Sequence, residues 1–241
     1  MLSINTIVPL ISSLLSIVFT ILVVKRFADK KGSHLHLLVW AIGLMFYGIG
    51  GAAEAYYGVF GWSSLVFRLW YLCGAILVAA WLGQGTIYLL VTRRVAHILM
   101  GLLAAASIYS LIRVFTAELN PLLMTTSIHT GSKLSGHAII TSGVRILTPF
   151  FNLYGTAALV GGALWSAFVF WRKRILLHRT LGNILIAIGA ILPASGGTFS
   201  RLGVPNALYL GELLGIILIF LGFIRATTPM KAGQKREAAS Q

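Results

Sequence analysis

Seven apolar stretches, Thr6–Val24, Leu37–Tyr57, Val66–Val91, Val95–Phe115, Leu147–Trp171, Thr180–Ser200 and Asn206–Ile224, take up most of the 241 residues. At ~1.5 Å per residue, about 20 residues of helix cross a hydrocarbon core of ~30 Å. Backbone groups in that core must be satisfied within their own segment, so each stretch reads as a transmembrane helix. Composition agrees: 58% of the residues are hydrophobic, 10% are charged and the mean hydropathy is +0.90, whereas soluble proteins carry about 25% charged residues. The expected fold is an all-α, polytopic seven-transmembrane-helix bundle forming one domain over 1–226. A basic tail over 227–241, with Pro229, Gly233 and no apolar periodicity, is expected to be disordered.

The formal charge of +14 is unevenly placed. Lys25, Arg26, Lys30, Lys31, Arg93, Arg94, Arg172, Lys173, Arg174, Arg179, Arg225, Lys231, Lys235 and Arg236 fall on one side of the alternating spans. Only Arg68, Arg113, Lys133, Arg145 and Arg201 fall on the other. Basic residues are retained in the cytoplasm during insertion, so the bias predicts an outer N-terminus and a cytoplasmic C-terminus in a bacterial inner membrane. The first span lacks a basic leader and is followed by Lys25 and Arg26, as in an uncleaved first helix rather than a signal peptide. The basic residues face lipid headgroups, which makes the bilayer the expected partner and excludes nucleic acid.

Only one connection is long, the outer segment 116–146. Within it Gly131 and Gly136 lie between β-prone residues such as Ile128, Ile139 and Ile140, a pattern that predicts a small hairpin lid. Small residues let membrane helices approach closely. Gly182, Gly189 and Gly196 in the sixth span, and Gly211, Gly215 and Gly222 in the seventh, predict a tight pair. Gly161 and Gly162 in the fifth span, and Gly48, Gly50 and Gly51 in the second, suggest similar contacts. Pro193, followed by Ser195 to Thr198, predicts a kink in the sixth span.

Ionisable groups inside spans cost at least ~2.5 kcal/mol each to insert and call for a partner or a role. Of five acids, Asp29 and Glu237 lie on the cytoplasmic side and Glu118 in the outer loop, which leaves Glu54 and Glu212 within spans. Two arrangements fit. Both can line an outward polar pocket with Arg68 and Arg201, with Tyr209 one turn from Glu212 and Asn152 as a further polar contact. Alternatively, Glu54 with Arg68 and Glu212 with Arg201 form ion bridges that only orient helices. Tryptophans and tyrosines near span ends, including Trp62, Trp70, Tyr56, Tyr57 and Tyr71, read as interfacial anchors.

Several chemistries are excluded. No span contains a lysine for a retinal Schiff base, no pair of histidines sits within spans to ligate haem, and the lone Cys73 allows no intrachain disulfide. The His34–His36 pair has no acid or cysteine beside it to complete a metal site. No cofactor is expected, and no serine–histidine or paired-aspartate arrangement for intramembrane proteolysis is found on the spans.

The segments Arg68–Leu90, Leu147–Phe168, Arg179–Gly203 and Leu208–Phe223 are similar to uncharacterised seven-helix bacterial membrane proteins, which implies the bundle and no activity. The topology also resembles that of G-protein-coupled receptors and the seven-helix sensor halves of some bacterial kinases. Thr92-Arg93-Arg94 is not a DRY motif, the seventh span lacks NPxxY, and no kinase follows.

The expectation is a non-enzymatic protein that binds or senses an anionic or amphiphilic small molecule and passes any output to a partner protein. The alternatives are a small proton-coupled transporter using Glu212, and less favoured, a lipid-active enzyme or assembly subunit.

Overall fold

The structure is a computed structural model that describes residues 3–31, 33–120, 134, 136–173, 177–204 and 206–227, without the side chains of Ser200 and Arg201. The middle of the expected lid and the tail over 228–241 lie outside the described residues.

Seven helices are each long and apolar enough to cross a membrane. They are α1 (Ile4–Asp29), α2 (Leu35–Phe60), α3 (Ser64–Leu90), α4 (Arg93–Thr116), α5 (Val144–Arg172), α6 (Leu177–Arg201) and α7 (Ala207–Thr227). Among the described residues they alternate in direction, so one end of the bundle carries Lys25, Arg26, Arg93, Arg94, Arg172 and Arg225. We call it the basic end, and the opposite one, bridged by residues 116–146, the loop end. Leu14, Leu102 and Leu153 are 55%, 64% and 72% exposed. Apolar side chains point outward all round the bundle, as a lipid solvent requires.

Six helices close a ring in the order α1, α2, α3, α5, α6, α7 and back to α1, while α4 leans on the outside of α3 and α5. The sequence of α4 explains its place. Its buried residues, Ala96, Leu103, Ser110 and Val114, form a single narrow stripe, enough for one line of contact.

Glycines set the helix spacing. A Cβ at Gly189 would lie 2.7 Å from the Gly215 carbonyl oxygen, one at Gly211 would lie 2.6 Å from that of Leu192, and one at Gly222 would lie 2.5 Å from that of Gly182. The two glycine stripes therefore mesh backbone to backbone along α6 and α7, as their spacing predicts. A Cβ at Gly162 would lie 2.4 Å from Thr86, but Gly161 has nothing within 4 Å and faces open space. Helix α6 runs on through Pro193, whose ring packs 3.0 Å from the Cβ position of Gly215.

Two hydroxyls on α1 add polar ties to α2 that the sequence did not signal: Ser13 Oγ donates to Gly48 O at 2.8 Å and Ser16 Oγ to Leu44 O at 2.7 Å. Helix α3 contains a π-helical segment, Trp70–Leu77. The register change disturbs the local backbone ladder, and Asn152 Nδ2 on α5 donates to the Ala75 carbonyl within it at 3.1 Å.

At the loop end, the described roots of the long connection pair with each other. Leu119 and Ile139 form an antiparallel bridge, with Asn120 N donating to Ala138 O at 2.8 Å and Ile140 N to Glu118 O at 2.9 Å. Ile139 and Ile140 thus pair with residues just after α4. Residues 125–133 of the expected hairpin are not described. Ala138 and Ile139 are buried, and Gly136 sits against the Tyr71 ring, so these roots close over the bundle.

Candidate functional site

Glu54 and Glu212 meet inside the ring. Glu54 lies about 9 Å of helix before the end of α2, and Glu212 about 8 Å beyond the start of α7. On α2 the residues Tyr47, Gly50, Gly51, Glu54 and Tyr57 recur at helical spacing and share one face. A Cβ at Gly50 would come 3.0 Å from Gly74 of α3, and one at Gly51 would come 3.0 Å from the Pro9 carbonyl of α1. Helix α2 is thereby held against both neighbours, and its one acid is carried into the interior between α3 and α7.

Glu54 is 2% exposed. Its Oε1 accepts the indole N–H of Trp70 at 2.8 Å. Oε2 has no hydrogen-bond partner, and the Glu212 carboxyl is near enough to that of Glu54 for the two to interact. Glu212 is half-buried. Tyr47 donates its hydroxyl to the backbone carbonyl of Glu212 at 2.6 Å and tethers α2 to α7 at this level. Tyr209, 1% exposed, stands beside both carboxyls, and Tyr57 is next to it. The Tyr209 hydroxyl has no hydrogen-bond partner, so it makes no bond to Glu212, one helical turn away.

Two carboxyl groups can hydrogen-bond to each other only when a proton lies between them. The same proton removes one of two like charges that would otherwise repel in a dry interior. Among the described residues, the groups acting directly on these carboxyls are each other and Trp70, and none is a cation.

The remaining expected site residues lie elsewhere. Arg68 does not bridge to Glu54; its guanidinium donates to the carbonyls of Val114 and, at 2.9 Å, of Ala117, capping the loop end of α4. The side chain of Arg201 is outside the described residues. Asn152 is spent on Ala75 in the π-helical segment and is not part of the carboxyl pair.

Sequence reasoning missed two contributors. Trp70, read as an interfacial anchor, is 8% exposed and bonded to Glu54; Tyr57 and Tyr71 are also buried, at 6% and 4%. Trp165 and Trp171, 60% and 63% exposed, fit the anchor role. Tyr47 was not singled out, and its only sequence signal is its position two helical turns before Glu54 on the same face.

A second polar network sits toward the basic end. Gln84, fully buried, donates to the Ala96 carbonyl at 2.9 Å and accepts the hydroxyl of Tyr154, which joins α3 to α4 and α5. Among the described residues no group of three His, Cys, Asp or Glu could hold a metal ion. Comparison of the chain with protein-family models, with curated proteins and with solved structures finds no match.

Proposed function

We propose that this is a non-enzymatic multi-pass membrane protein of the sensing kind, in which the Glu54–Glu212 pair takes up and releases a proton and thereby sets how α2, α3 and α7 pack. The observation that carries the reading is the contact between two intramembrane carboxyls with no described cation beside them. An anionic ligand suits this site poorly, because the groups that face it are acids and a neutral indole. A proton suits it well. It is small enough to sit between two neighbouring side chains, and its loss leaves two negative charges in contact, which pushes α2 and α7 apart.

The titratable groups facing the pair are Tyr47 from α2 and Tyr209 from α7, with Tyr57 beside Tyr209; α3 contributes the indole of Trp70, and α1 brings no titratable group to this level. Tyr57 also lines a small cleft at the loop end with Trp62, Ser63 and Phe67. The charge bias favours a bacterial inner membrane with the basic end in the cytoplasm, which sets the pair to read the outer side.

A proton-coupled transporter is the second reading, favoured by the π-helical segment Trp70–Leu77. A π-helical turn can revert to α-helix with a change of register, and Trp70 would carry such a movement to Glu54. Infrared difference spectroscopy on protein in liposomes, stepped between acid and alkaline pH, tests both readings. The expected result is a protonated-carboxyl carbonyl band that disappears on alkalinisation and is missing in Glu54→Gln and in Glu212→Gln. A band that does not change with pH, or that persists in both variants, overturns the proposal. Proton flux through wild-type liposomes that is abolished in Glu212→Gln selects the transporter.

A further inference from the structure

Beside the carboxyl pair stands a donor that is not spent. Trp70 gives its indole N–H to Glu54 Oε1 at 2.8 Å, and Tyr47 gives its hydroxyl to the Glu212 carbonyl at 2.6 Å. Tyr209 lies on α7, one helical turn toward the loop end from Glu212 and close to both carboxyls. It is 1% exposed, yet its hydroxyl meets no acceptor; Glu54 Oε2, just as enclosed, meets no donor. A buried hydroxyl without a partner is costly, and a phenylalanine would fill the same space without that cost. Packing alone therefore gives no reason for a tyrosine at this position.

The worth of the hydroxyl depends on the charge beside it. While the pair holds a proton, the two carboxyls serve each other and Tyr209 gains nothing from either. Once the proton leaves, two carboxylates need donors, and the Trp70 N–H is the one already in place. Their repulsion turns them apart and frees the oxygens that faced each other. A phenol proton rotates about its own C–O bond, so a carboxylate that turns toward Tyr209 finds a donor ready, in a charge-assisted bond about twice as strong as a neutral one. Nothing else described at this level competes. Of the other tyrosines of α2 and α7 here, Tyr47 is spent and Tyr57 sits next to Tyr209, while α1 and the described part of α6 bring no titratable side chain.

We propose that Tyr209 is the positioning residue of the ionised state: its hydroxyl, unspent while the carboxyls share a proton, is taken by Glu54 when the proton leaves and thereby eases that release. The inference rests on the reading of the pair as a proton site. A donor that bonds only the charged form favours that form, so removing it makes the pair hold its proton more tightly.

Infrared difference spectra of the full chain in liposomes, recorded as the pH is raised, supply the test. In the wild type a tyrosine C–O band, identified with ring-deuterated tyrosine, is expected to shift together with the carboxyl band, and to be missing in Tyr209→Phe. In that variant the carboxyl band should persist about one pH unit further into alkali, a tenfold gain in proton affinity. Thermal melts separate this role from a merely structural one. Tyr209→Phe should melt no lower than the wild type at acid pH and below it at alkaline pH, whereas Tyr47→Phe, which loses a bond present in both states, should melt lower at both. If Tyr209→Phe does not fold, the wild-type tyrosine band decides. A carboxyl band that titrates with no tyrosine band moving beside it, or that disappears in Tyr209→Phe at the wild-type pH, overturns this inference and leaves the proton site standing. A carboxyl band insensitive to pH removes both.

Discussion

The two halves of the ring share helices yet solve opposite problems. At the level of Glu54 and Glu212, polar groups are packed together, with Trp70 and Tyr47 fixing the side chain of one and the backbone of the other. At the level of Leu44 and Phe223, apolar side chains from all six ring helices pack around a small gap. The difference follows from what each layer loses by change. A buried carboxyl is costly without its partner, so the polar layer admits little looseness. Apolar walls leave no polar atom unsatisfied when they part, so the other layer tolerates a gap. One layer is held by hydrogen bonds and the other by apolar packing.

Four substitutions break or sharpen this contrast. The largest effect is expected from Glu54→Ala, which leaves the Trp70 N–H and the Glu212 carboxyl without their partner. It should cost about 3 kcal/mol, measured as a lowered midpoint in detergent melts, whereas a wild-type midpoint would show that the pair contributes nothing to packing. Gly85→Ala comes next: its Cβ would lie 2.0 Å from Trp40 Cδ1, so the indole must leave the Leu82 carbonyl. That should cost about 2 kcal/mol, with faster quenching of Trp40 emission by an aqueous quencher as the readout.

Smaller still is the pH response. The wild-type midpoint should fall on alkalinisation as the shared proton is lost, by the equivalent of about 1 kcal/mol. The Glu54→Gln/Glu212→Gln double variant should be flat, because an amide pair keeps a hydrogen bond without a proton to lose. A double variant that still follows pH places the response elsewhere. Least of all, Leu159→Phe should lower the midpoint by about 1 kcal/mol, since the small gap beside it takes up part of the added ring. A much larger loss there would mean that the apolar layer is packed as tightly as the polar one.

The legible part of the candidate site was its residue types. Glu54 and Glu212 stood out because an acid within a span needs an explanation, and they do meet. Their partners were not legible. Arg68 matched Glu54 in charge and depth, but it is oriented toward the carbonyls at the end of α4, where the chain leaves the helix without a cap. Trp70 resembled any aromatic near a membrane boundary. Only the π-helical turn at that point and the approach of α2 at Gly50 place its N–H on Glu54.

The sequence by itself determined the seven helices, their alternation and the glycine seam of α6 and α7, because these rest on local quantities: the length of apolar runs, short connections and small residues at helical repeat. The tertiary structure alone decided that α4 stands outside the ring, that two acids from helices far apart in the chain share one interior site, and that a small gap remains toward the basic end. Each of these depends on which helix faces meet and how far backbones can close. That is a balance of packing summed over the whole bundle, and no single span encodes it.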